Sequence, residues 1–390
     1  MKTKIALIMG GVSVEHEISV ISALQAYHAL DKNKYDVSLV YISKGGEMYV
    51  GEALADISNF ENIDALVRGL TQVALVRKNG GAYLCQVGGT GLFKKPYEER
   101  FDVAFPVVHG TNCEDGTVAG ILESVRVPYV GCDILGSALG MDKAVMKQVL
   151  EAESLPIVPY TMFYARNMVK DEAEIVAKCE ALSYPLIVKP ANLGSSVGIR
   201  KVNNRDELLD AIAFASDFAL AIVVEKAVAP LREINCAVLG DYSRTEASAL
   251  EEPVQNDEIL SYTDKYVNGG KKSGGMSSLK RKTPDDLSAE KQAEIKDIAQ
   301  KAFVALHASG VARIDFLMDA EQNVFVNEIN TIPGSLSFYL WEPTGKSFSQ
   351  LCDDLVELAL KRARERDSLV FSFDKNIFAL QGTKGITGKK

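Results

Sequence analysis

The chain has 390 residues, more than one ordinary hydrophobic core holds, so we expect two or three domains. Hydrophobic residues make up 47% and charged residues 24%, as in globular proteins, and the net charge of −9 argues against a general nucleic-acid binder. The N-terminal apolar run is too short for a signal peptide, and no stretch reaches the roughly 20 apolar residues of a membrane span. The six cysteines are scattered without a CxxC pair. This predicts a cytoplasmic protein with neither a zinc site nor a disulfide framework.

The first third of the sequence has the pattern of an α/β domain. Strands are predicted over 4–9, 37–42 and 103–108, and a helix over about 15–30. The first strand ends at Gly10 and Gly11 before the helix, which is how a βαβ unit opens. The last strand delivers His109 and Gly110 to the carboxyl edge of the sheet, where open α/β folds bind ligands. We therefore predict a doubly wound domain over residues 1–132.

The rest of the chain predicts two further domains. In the middle we expect helices over 143–152, 170–182 and 205–215, and strands over 186–189, up to 202, and over 219–225. Beyond it we expect strands near 233–240 and over 312–318 and 324–330, and helices over 288–309 and 347–366. These patterns predict a small α+β domain over 133–228 and a third domain over 229–390.

Two segments lack any hydrophobic period. Residues 266–283 are rich in glycine and lysine, which predicts a mobile loop that is either a linker or an active-site lid. Its cationic side chains either bind phosphate or an acidic substrate group, or are simply solvated. The last dozen residues are predicted to form a loose tail.

Acidic residues lie inside two apolar strand patterns, Arg313-Ile-Asp315 and Asn327-Glu328-Ile-Asn330. Residues two apart point to the same face of a strand. If the strands are antiparallel neighbours, Asp315, Glu328 and Asn330 converge as three oxygen ligands, which suit Mg²⁺. The alternative is a solvated strand face with an ion pair. We favour the metal site because unpaired charge is costly inside apolar runs.

Glycine and lysine residues upstream predict phosphate contacts. The loop over 194–198 contains Ser195 and Ser196 between two glycines, and its backbone N–H groups and hydroxyls suit a phosphate, although a flexible hairpin has the same composition. Lys189 on the preceding strand and Lys143 at a helix start would add positive charge. The earlier Gly10-Gly11 turn lacks GxGxxG spacing, which argues against NAD there. Glu15 near a helix N-terminus either contacts the helix dipole or holds a substrate ammonium group.

Seven motifs occur together in one order. They are Gly-Gly-x-Ser-x-Glu-His-Glu at 10–17, His-Gly-x-x-x-Glu-Asp-Gly-Thr at 109–117, Met-Asp-Lys at 141–143, Lys-Pro-x-x-x-Gly-Ser-Ser-Val-Gly at 189–198, Lys-Tyr at 265–266, Arg-x-Asp at 313–315 and Asn-Glu-x-Asn-Thr-x-Pro-Gly at 327–334. In this set and order the sequence resembles the D-alanine–D-alanine ligases of the ATP-grasp superfamily, from about residue 3 to 360. The resemblance implies a three-domain ATP-grasp fold, combining α/β and α+β units, with an N-terminal doubly wound (pre-ATP-grasp) domain.

The resemblance also implies an activity and its cofactors. The enzyme would form D-alanyl-D-alanine for peptidoglycan precursors through an acyl phosphate, using ATP and two Mg²⁺ ions, with Mn²⁺ as a substitute. Its partners would be small amino acids and ATP, with no nucleic acid and no membrane, and it would form a homodimer. The nucleotide contacts would come from Lys143, Lys189, Ser196, Glu225, Lys226, Val228 and Glu233, and the metal ligands would be Asp315, Glu328 and Asn330.

The same resemblance assigns the amino-acid site. Glu15 would bind the first substrate's ammonium group and join Ser195 and Tyr266 in closing the lid, while Arg313 and the backbone N–H of Gly334 would stabilise the tetrahedral oxyanion. Contacts to the amino acids are also implied for His109, Lys265, Tyr339 and Leu340.

Three departures from the family pattern leave the second substrate open. Tyr339 stands where a serine is expected, the segment over 266–283 is longer and more cationic than usual, and Cys113 replaces a common glycine, more in the manner of a packed residue than a nucleophile. The alternative function is therefore a ligase of altered acceptor specificity, which pairs D-Ala with D-Ser, D-lactate or another amino or hydroxy acid. A nucleotide sensor without catalysis is a weaker hypothesis, because the complete set of motifs is present.

Overall fold

The computed structural model describes residues 2–89, 95–194, 197–253 and 281–372. Three β-sheets with helices packed against them form this part of the chain. Four residues predicted for the site lie outside it: Ser195, Ser196, Lys265 and Tyr266. Most of the predicted lid and the predicted tail also lie outside it. Within the described ranges, no helix is both long enough and apolar enough to cross a bilayer.

The first sheet has the order β6-β5-β4-β3-β2-β1-β7 among the described residues. Its strands are β1 (Thr3–Gly10), β2 (Tyr35–Ile42), β3 (Met48–Val50), β4 (Thr71–Lys78), β5 (Gly81–Gln86), β6 (Glu98–Phe101) and β7 (Val103–Pro106). The central strand β1 is parallel to both β2 and β7, which confirms the predicted α/β core. The helices here are α1 (His16–Ala29), α2 (Ile63–Arg68) and α3 (Thr117–Ser124), with 3₁₀ turns at Glu52–Ala55 and Ile57–Asn62.

The other half of this sheet differs from the prediction, because β3 to β6 are antiparallel. Asn79 and Gly80 connect β4 to β5 with positive φ angles of 51° and 76°. An Asn-Gly pair with both residues in the left-handed region forms the tight turn of a two-residue hairpin. The turn chemistry of this pair therefore extends the sheet by antiparallel pairing, in a region where the sequence analysis named no strands.

The second sheet is antiparallel throughout, with the order β10-β9-β11-β8. Its strands are β8 (Tyr160–Tyr164), β9 (Leu186–Pro190), β10 (Arg200–Val202) and β11 (Ala221–Lys226). The neighbouring helices are α4 (Ile134–Met141), α5 (Lys143–Ala152), α6 (Met168–Glu180) and α7 (Arg205–Ser216), with a 3₁₀ turn at Ala165–Asn167. Asp142 accepts hydrogen bonds from the backbone N–H groups of Ala144 and Val145, which fixes the start of α5.

The third sheet has the order β14-β13-β12-β15-β16 within the described residues. Its strands are β12 (Arg232–Asp241), β13 (Arg244–Pro253), β14 (Arg281–Lys282), β15 (Gly310–Met318) and β16 (Val324–Asn330). The helices are α8 (Ala289–Ala305), α9 (Phe338–Trp341) and α10 (Phe348–Asp367), with 3₁₀ turns at Gly334–Ser337 and Glu342–Thr344. The predicted antiparallel pairing of β15 with β16 is confirmed.

Helix α10 packs into a core to which both the first and the third sheet contribute. Leu351, Leu355 and Val356 are buried in one apolar cluster with Leu7 and Phe105 of the first sheet. Arg362 on the same helix donates hydrogen bonds to the carbonyl oxygens of Gly131 (2.5 Å) and Tyr129 (2.6 Å). Residues from the two ends of the chain therefore share one core.

Candidate active site

A cleft is bordered by segments next to all three sheets. It is lined by Glu15, Ile18, His109, Gly110, Glu114, Gly140, Met141, Lys143, Gly194, Arg313, Glu328, Ile329, Asn330, Ile332 and Gly334. Seven residues predicted for the site are therefore brought together in one cavity, although they come from positions more than 300 residues apart.

The acidic strand residues lie side by side at this cleft, where Glu328 is on the wall and Asp315 is next to it. Asp315 and Glu328 are paired across β15 and β16. Arg313 makes two hydrogen bonds to Asp315, from Nε to Oδ1 (2.6 Å) and from Nη2 to Oδ2 (2.7 Å), and Asn330 Nδ2 donates to Asp315 Oδ2 at 3.0 Å. Burial opposes the charge of Arg313, but the charge and hydrogen bonds of Asp315 raise its pKa well above the usual range. The guanidinium is therefore a permanent cation at the site.

The donor set fits a hard divalent cation. Two carboxylates and one side-chain amide are oxygen donors of the kind that Mg²⁺ prefers. A carboxylate has about four lone-pair positions, so Asp315 can keep both bonds to Arg313 and still bind a metal. Asn330 would contribute its amide oxygen. The assignment of Asp315, Glu328 and Asn330 as metal ligands stays a prediction.

Lys143 begins α5 and reaches one of these carboxylates, that of Glu328. Its ammonium lies 3.2 Å from Glu328 Oε2 and donates to the carbonyl of Leu193 at 3.0 Å. Its backbone N–H donates to Ala191 O at 2.8 Å, which ties the start of the helix to the segment after β9. The predicted positive charge therefore lies beside the acidic pair and beside the start of the glycine-serine loop.

A buried cluster of two lysines and one glutamate lies behind Lys143. Glu225 is 2.7 Å from Lys189 Nζ and 3.1 Å from Lys147 Nζ, and all three side chains are almost completely buried. Lys189 also donates to Asn327 Oδ1 at 3.1 Å. Burial would raise the pKa of Glu225, but the two ammonium groups bring it below the usual range. Glu225 is therefore an ion-paired carboxylate here.

Lys147 was missed by the sequence analysis. It lies four residues after Lys143 on α5, so the two ammonium groups lie on one face of the helix. Its side chain is fully buried, and this desolvation lowers its pKa despite the nearby carboxylate. The signal was a second lysine at helical spacing in a segment that is otherwise apolar on that face.

The segment after β16 has an unusual backbone. Ser335, Leu336 and Ser337 all have φ angles near +50°, which is one turn of left-handed conformation without glycine. Such a conformation costs roughly 1–2 kcal/mol per residue. Gly334 immediately precedes this turn. The role predicted for Gly334 toward the oxyanion depends on where the turn holds the N–H group of this glycine. Neighbouring groups must therefore keep the segment in place.

Those neighbours include His109 and a serine of α1. His109 Nδ1 lies 2.8 Å from Ile332 O, and Nε2 lies 3.0 Å from Ser22 Oγ. The N–H of Ser335 donates to the same Ser22 hydroxyl at 2.9 Å. Burial lowers the pKa of His109. Ser22 had no role in the sequence analysis, because its partner lies over 300 residues away.

Glu114 also lines the cleft, and the sequence analysis gave its carboxyl group no role. Its Oε2 accepts the N–H of Gly110 at 2.8 Å. Burial raises its pKa to about 8, with a further contribution from the negative charge of Glu15. At neutral pH this carboxyl group is therefore largely protonated.

Glu15 lies at the N-terminus of α1, as predicted. A Cβ atom placed on Gly110 would lie 2.8 Å from Glu15 Oε2, and one on Gly194 would lie 3.1 Å away. The carboxylate is thus packed between two glycine backbones, and Gly194 directly precedes Ser195. Its roles toward a substrate ammonium group and toward Ser195 and Tyr266 stay predictions.

Other predicted binding residues lie around the cleft rather than on its wall. The Tyr339 hydroxyl lies 3.5 Å from Glu251 Oε1, and the Leu340 side chain is buried in the core, so only the backbone of Leu340 is available to a ligand. Lys226 donates to the carbonyl oxygens of Ser183 and Tyr184, at 2.8 and 3.2 Å. Val228 and Glu233 are both partly exposed, Val228 just beyond β11 and Glu233 on β12. Their contacts with ligands stay predictions.

Cys113 is a packed residue, as the sequence analysis favoured. Its side chain is buried against Gly11, where an added Cβ would overlap the sulfur at 2.2 Å. Burial raises the pKa of its thiol to about 12. A thiol with this pKa is almost fully protonated at neutral pH and is a poor nucleophile.

Family models match most of the chain. The model described as D-ala D-ala ligase N-terminus matches residues 4–132, and the model described as D-ala D-ala ligase C-terminus matches residues 149–357. A D-alanine–D-alanine ligase of Chloroherpeton thalassium is 41% identical over 374 residues, which are 94% of this chain and 98% of that protein. A D-alanine–D-alanine ligase of Thermoanaerobacter sp. is 40% identical over 371 residues, with the same coverage of 94% and 98%.

Solved structures give the same relationship. The D-alanine–D-alanine ligase from Coxiella burnetii has a TM-score of 0.76 and 30% identity, covering 94% of this chain and 96% of its own. The VanG D-Ala:D-Ser ligase from Enterococcus faecalis also has a TM-score of 0.76, with 32% identity, covering 92% of this chain and 100% of its own.

Proposed function

The chain belongs to the D-alanine–D-alanine ligase family, and we propose that it joins two D-alanine molecules into D-alanyl-D-alanine while ATP is converted to ADP and phosphate. The product would serve as a peptidoglycan precursor. One observation carries this proposal: Arg313, which is bonded to Asp315, shares a single cleft with Glu328, Asn330, Glu15, Lys143 and Gly334. That cleft combines groups suited to a nucleotide phosphate with groups suited to an amino acid.

ATP would lie along the second and third sheets. Lys143 and Lys189 would contact its phosphates together with Ser196, the adenine would meet the segment from Glu225 to Val228, and Glu233 would meet the ribose. Asp315, Glu328 and Asn330 would hold two Mg²⁺ ions. When bound, Mg²⁺ would neutralise the charge that develops on the transferred phosphoryl group. Lys189 supports this arrangement, because Glu225 and Asn327 already fix its ammonium group between the two sheets.

The reaction would proceed in two steps. A carboxylate oxygen of the first D-alanine attacks the γ-phosphorus, the bond to the bridging oxygen breaks, and ADP leaves. The amine of the second D-alanine, as the free base, then attacks the carbonyl carbon of the acyl phosphate. The tetrahedral intermediate collapses with loss of inorganic phosphate and of one proton from nitrogen, which leaves the peptide bond. The acyl phosphate makes a covalent enzyme intermediate unnecessary.

Arg313 and Gly334 would stabilise the oxyanion of the tetrahedral intermediate. The guanidinium is charged at all working pH values, because its pKa is held well above the usual range by Asp315. It is also nearly fixed, because two hydrogen bonds to one carboxylate orient its plane. A donor that is already oriented pays little reorganisation energy when charge develops.

Glu15 would bind the ammonium group of the first D-alanine. Ser195 and Tyr266 would join it in closing a lid that also brings Lys265 to the substrate. Water exclusion has a chemical purpose here, because an acyl phosphate exposed to water hydrolyses. His109, Tyr339 and Leu340 would complete the surroundings of the amino acids.

Phosphate release tests the proposed function. The purified chain is incubated with ATP, Mg²⁺ and D-alanine, alone or with a competing acceptor, and the products are identified by mass. We expect phosphate and D-alanyl-D-alanine in equal amounts, and neither without D-alanine. ATP binding without phosphate release that depends on an amino acid would instead favour a nucleotide sensor.

A second function keeps the mechanism and changes the acceptor to D-serine, D-lactate or another amino or hydroxy acid. Two observations favour it. The VanG D-Ala:D-Ser ligase is as similar in fold as the Coxiella burnetii enzyme. In addition, Tyr339 stands where the family pattern has a serine, and its hydroxyl lies near Glu251. In a mixture of D-alanine with equal amounts of D-serine and D-lactate, a mixed product as the main species would establish this alternative. D-alanyl-D-alanine as the main product would contradict it.

We further propose domain limits of 1–132, 133–228 and 229–390, a cytoplasmic location and a homodimer. The absence of disulfide bonds among the six cysteines, all of which lie in the described ranges, supports the cytoplasmic location. Light scattering after gel filtration would measure a mass of about twice 42.4 kDa for the dimer, and a mass near 42.4 kDa would contradict it.

A further inference from the structure

We propose that Ser22 on α1 is a positioning residue, which acts with His109 to hold the backbone N–H of Gly334 where the oxyanion forms. The inference rests on the proposed function, because it concerns the second step of the ligase reaction. Ser22 does not itself line the cleft; it acts through His109 and through the loop of residues 332–335.

The hydrogen-bond chain around Ser22 has a defined direction. The carbonyl oxygen of Ile332 can only accept, so Nδ1 of His109 must carry the hydrogen that lies between them. In a neutral ring, Nε2 is then an acceptor and receives the Ser22 O–H. The Ser22 oxygen keeps lone pairs, and the N–H of Ser335 donates to one of them. One set of hydrogen positions therefore satisfies all the hydrogen bonds around Ser22.

Burial supports this arrangement. Ser22 is 1% exposed and His109 is 3% exposed, so water has little access to either group. A buried imidazole is disfavoured in its charged form, and the pKa of His109 is correspondingly lowered. The neutral imidazole is the one protonation state of His109 in which every donor of this hydrogen-bond network has an acceptor.

The two anchors lie on either side of Gly334. Ile332 is held through its carbonyl oxygen, and Ser335 is held through its N–H. The next three residues, beginning with Ser335, have left-handed backbone angles that non-glycine residues rarely adopt. A segment in this conformation relaxes when an anchor is removed, so the Ser22 bond opposes a movement that the local sequence favours.

Ser22 and His109 are themselves held by rigid elements. Ser22 lies in the middle of α1, and the N–H of His109 donates to Ser19, one turn earlier on the same helix, at 2.9 Å. His109 follows β7, which pairs with β1 in the centre of the first sheet. These contacts fix the position of Gly334 relative to the first sheet. This matters because a displacement of about 1 Å at a reacting centre can cost 100-fold in rate.

Ser22→Ala tests the inference in the complete enzyme. The first step is followed by positional exchange of ¹⁸O within ATP in the presence of D-alanine, which reports reversible phosphoryl transfer to the carboxylate. The second step is followed by dipeptide formation, and transition-state binding by the affinity for a phosphinate dipeptide analogue. We expect isotope exchange within about twofold of wild type, while dipeptide formation and phosphinate affinity both fall about 10- to 100-fold.

Ser248→Ala is the matched control. Ser248 is also a buried serine whose hydroxyl accepts one backbone N–H, that of Ala237 at 2.9 Å, but it lies on β13 and outside the cleft wall. The Ser248→Ala variant should lose about as much thermal stability as Ser22→Ala but keep the wild-type rate of dipeptide formation. Equal rates in the two variants, or a parallel loss of both steps in Ser22→Ala, would overturn the inference. A wild-type chain that makes no dipeptide would overturn the proposed function itself.

Discussion

At the scale of single residues, the cleft is organised by carboxyl groups that have different partners. Asp315 is bonded to Arg313, Glu328 lies beside Lys143, and Glu114 accepts a backbone N–H. Removing Asp315 would leave the buried guanidinium of Arg313 without its main partner, which costs about 3–5 kcal/mol in comparable buried pairs. Glu328 is therefore the better position at which to test the metal site without disturbing the fold.

Glu328→Gln should weaken metal-dependent turnover and leave folding nearly intact. The amide keeps the shape of the side chain but removes the negative charge that would attract Mg²⁺, while Lys143 retains its bond to Leu193 O. We expect the Mg²⁺ concentration for half-maximal activity to rise by about 10-fold or more. Titration of activity with Mg²⁺ measures this, and Glu246→Gln, at a partly buried ion pair with Lys346, is the control. Unchanged Mg²⁺ dependence would reject Glu328 as a ligand.

Glu114→Gln should flatten the dependence of stability on pH. The pKa of Glu114 is raised from 4.5 to about 8 in the folded chain. Between these values the unfolded chain loses a proton that the folded chain keeps, so this group's contribution to stability is present at low pH and is lost as pH rises. Glutamine has no such proton to lose.

Urea unfolding at about pH 5 and about pH 8 measures this effect. The wild type should lose more free energy of unfolding between the two pH values than Glu114→Gln does. Glu98→Gln, which changes an exposed carboxylate paired with Lys78, should behave like the wild type. Identical slopes in all three proteins would show that Glu114 is ionised in the folded state.

At the scale of secondary-structure elements, one buried charge cluster joins a helix to two strands. Lys147 comes from α5, Lys189 from β9 and Glu225 from β11. The cluster has two positive groups and one negative group, so the carboxylate is the member on which both ammonium groups depend. The two kinds of substitution should therefore have unequal effects.

Glu225→Gln should destabilise the chain by about 3–5 kcal/mol, because it leaves two buried ammonium groups without a counter-charge. Lys147→Met should be nearly neutral or stabilising, since one lysine and one glutamate remain and the new side chain is apolar and of similar volume. Chemical denaturation of the two variants without nucleotide measures the difference. Equal losses would show that the ions are solvated in the folded chain.

The sequence predicted those elements in which one pattern is long and regular. Helices such as α5 and α7 and the strands β15 and β16 lie within a few residues of their predicted bounds, because hydrophobic periodicity decides them locally. The acidic pair followed from strand alternation alone. Strands β3 and β6 have only three and four residues, and the strands from β3 to β6 are of mixed polarity and depend on turns and on neighbouring strands. Ser22, Lys147 and Glu114 owe their environments to distant segments, which local patterns do not contain.

At the scale of the whole molecule, the two ends of the chain are one structural unit. Helix α10 shares its buried side with α1 and with strands of the first sheet. Arg362 closes this contact through the carbonyl oxygens of Tyr129 and Gly131, which no other side chain is seen to satisfy within the described ranges. This pair of bonds should therefore matter for global stability.

Arg362→Met should lower the free energy of unfolding by about 2–3 kcal/mol, because methionine replaces the apolar stem and leaves two carbonyl groups unpaired. Arg364→Met is a matched control, since Arg364 lies on the exposed side of the same helix, and its effect should stay within about 0.5 kcal/mol. Denaturant unfolding gives both values. A loss in Arg362→Met no larger than in the control would mean that these two hydrogen bonds add little to the other contacts that hold α10.

The shared core has a consequence for how the protein is made. The strands of the first sheet are complete in the nascent chain by residue 106, but the helix that covers one of its faces ends at residue 367. At elongation rates of about 5–20 residues per second, the ribosome needs about 10–50 s to supply it. During that interval Leu7, Phe105 and their neighbours have α1 beside them but lack the cover of α10. Newly made chains should therefore depend on chaperone binding until translation ends, and fragments released early should aggregate.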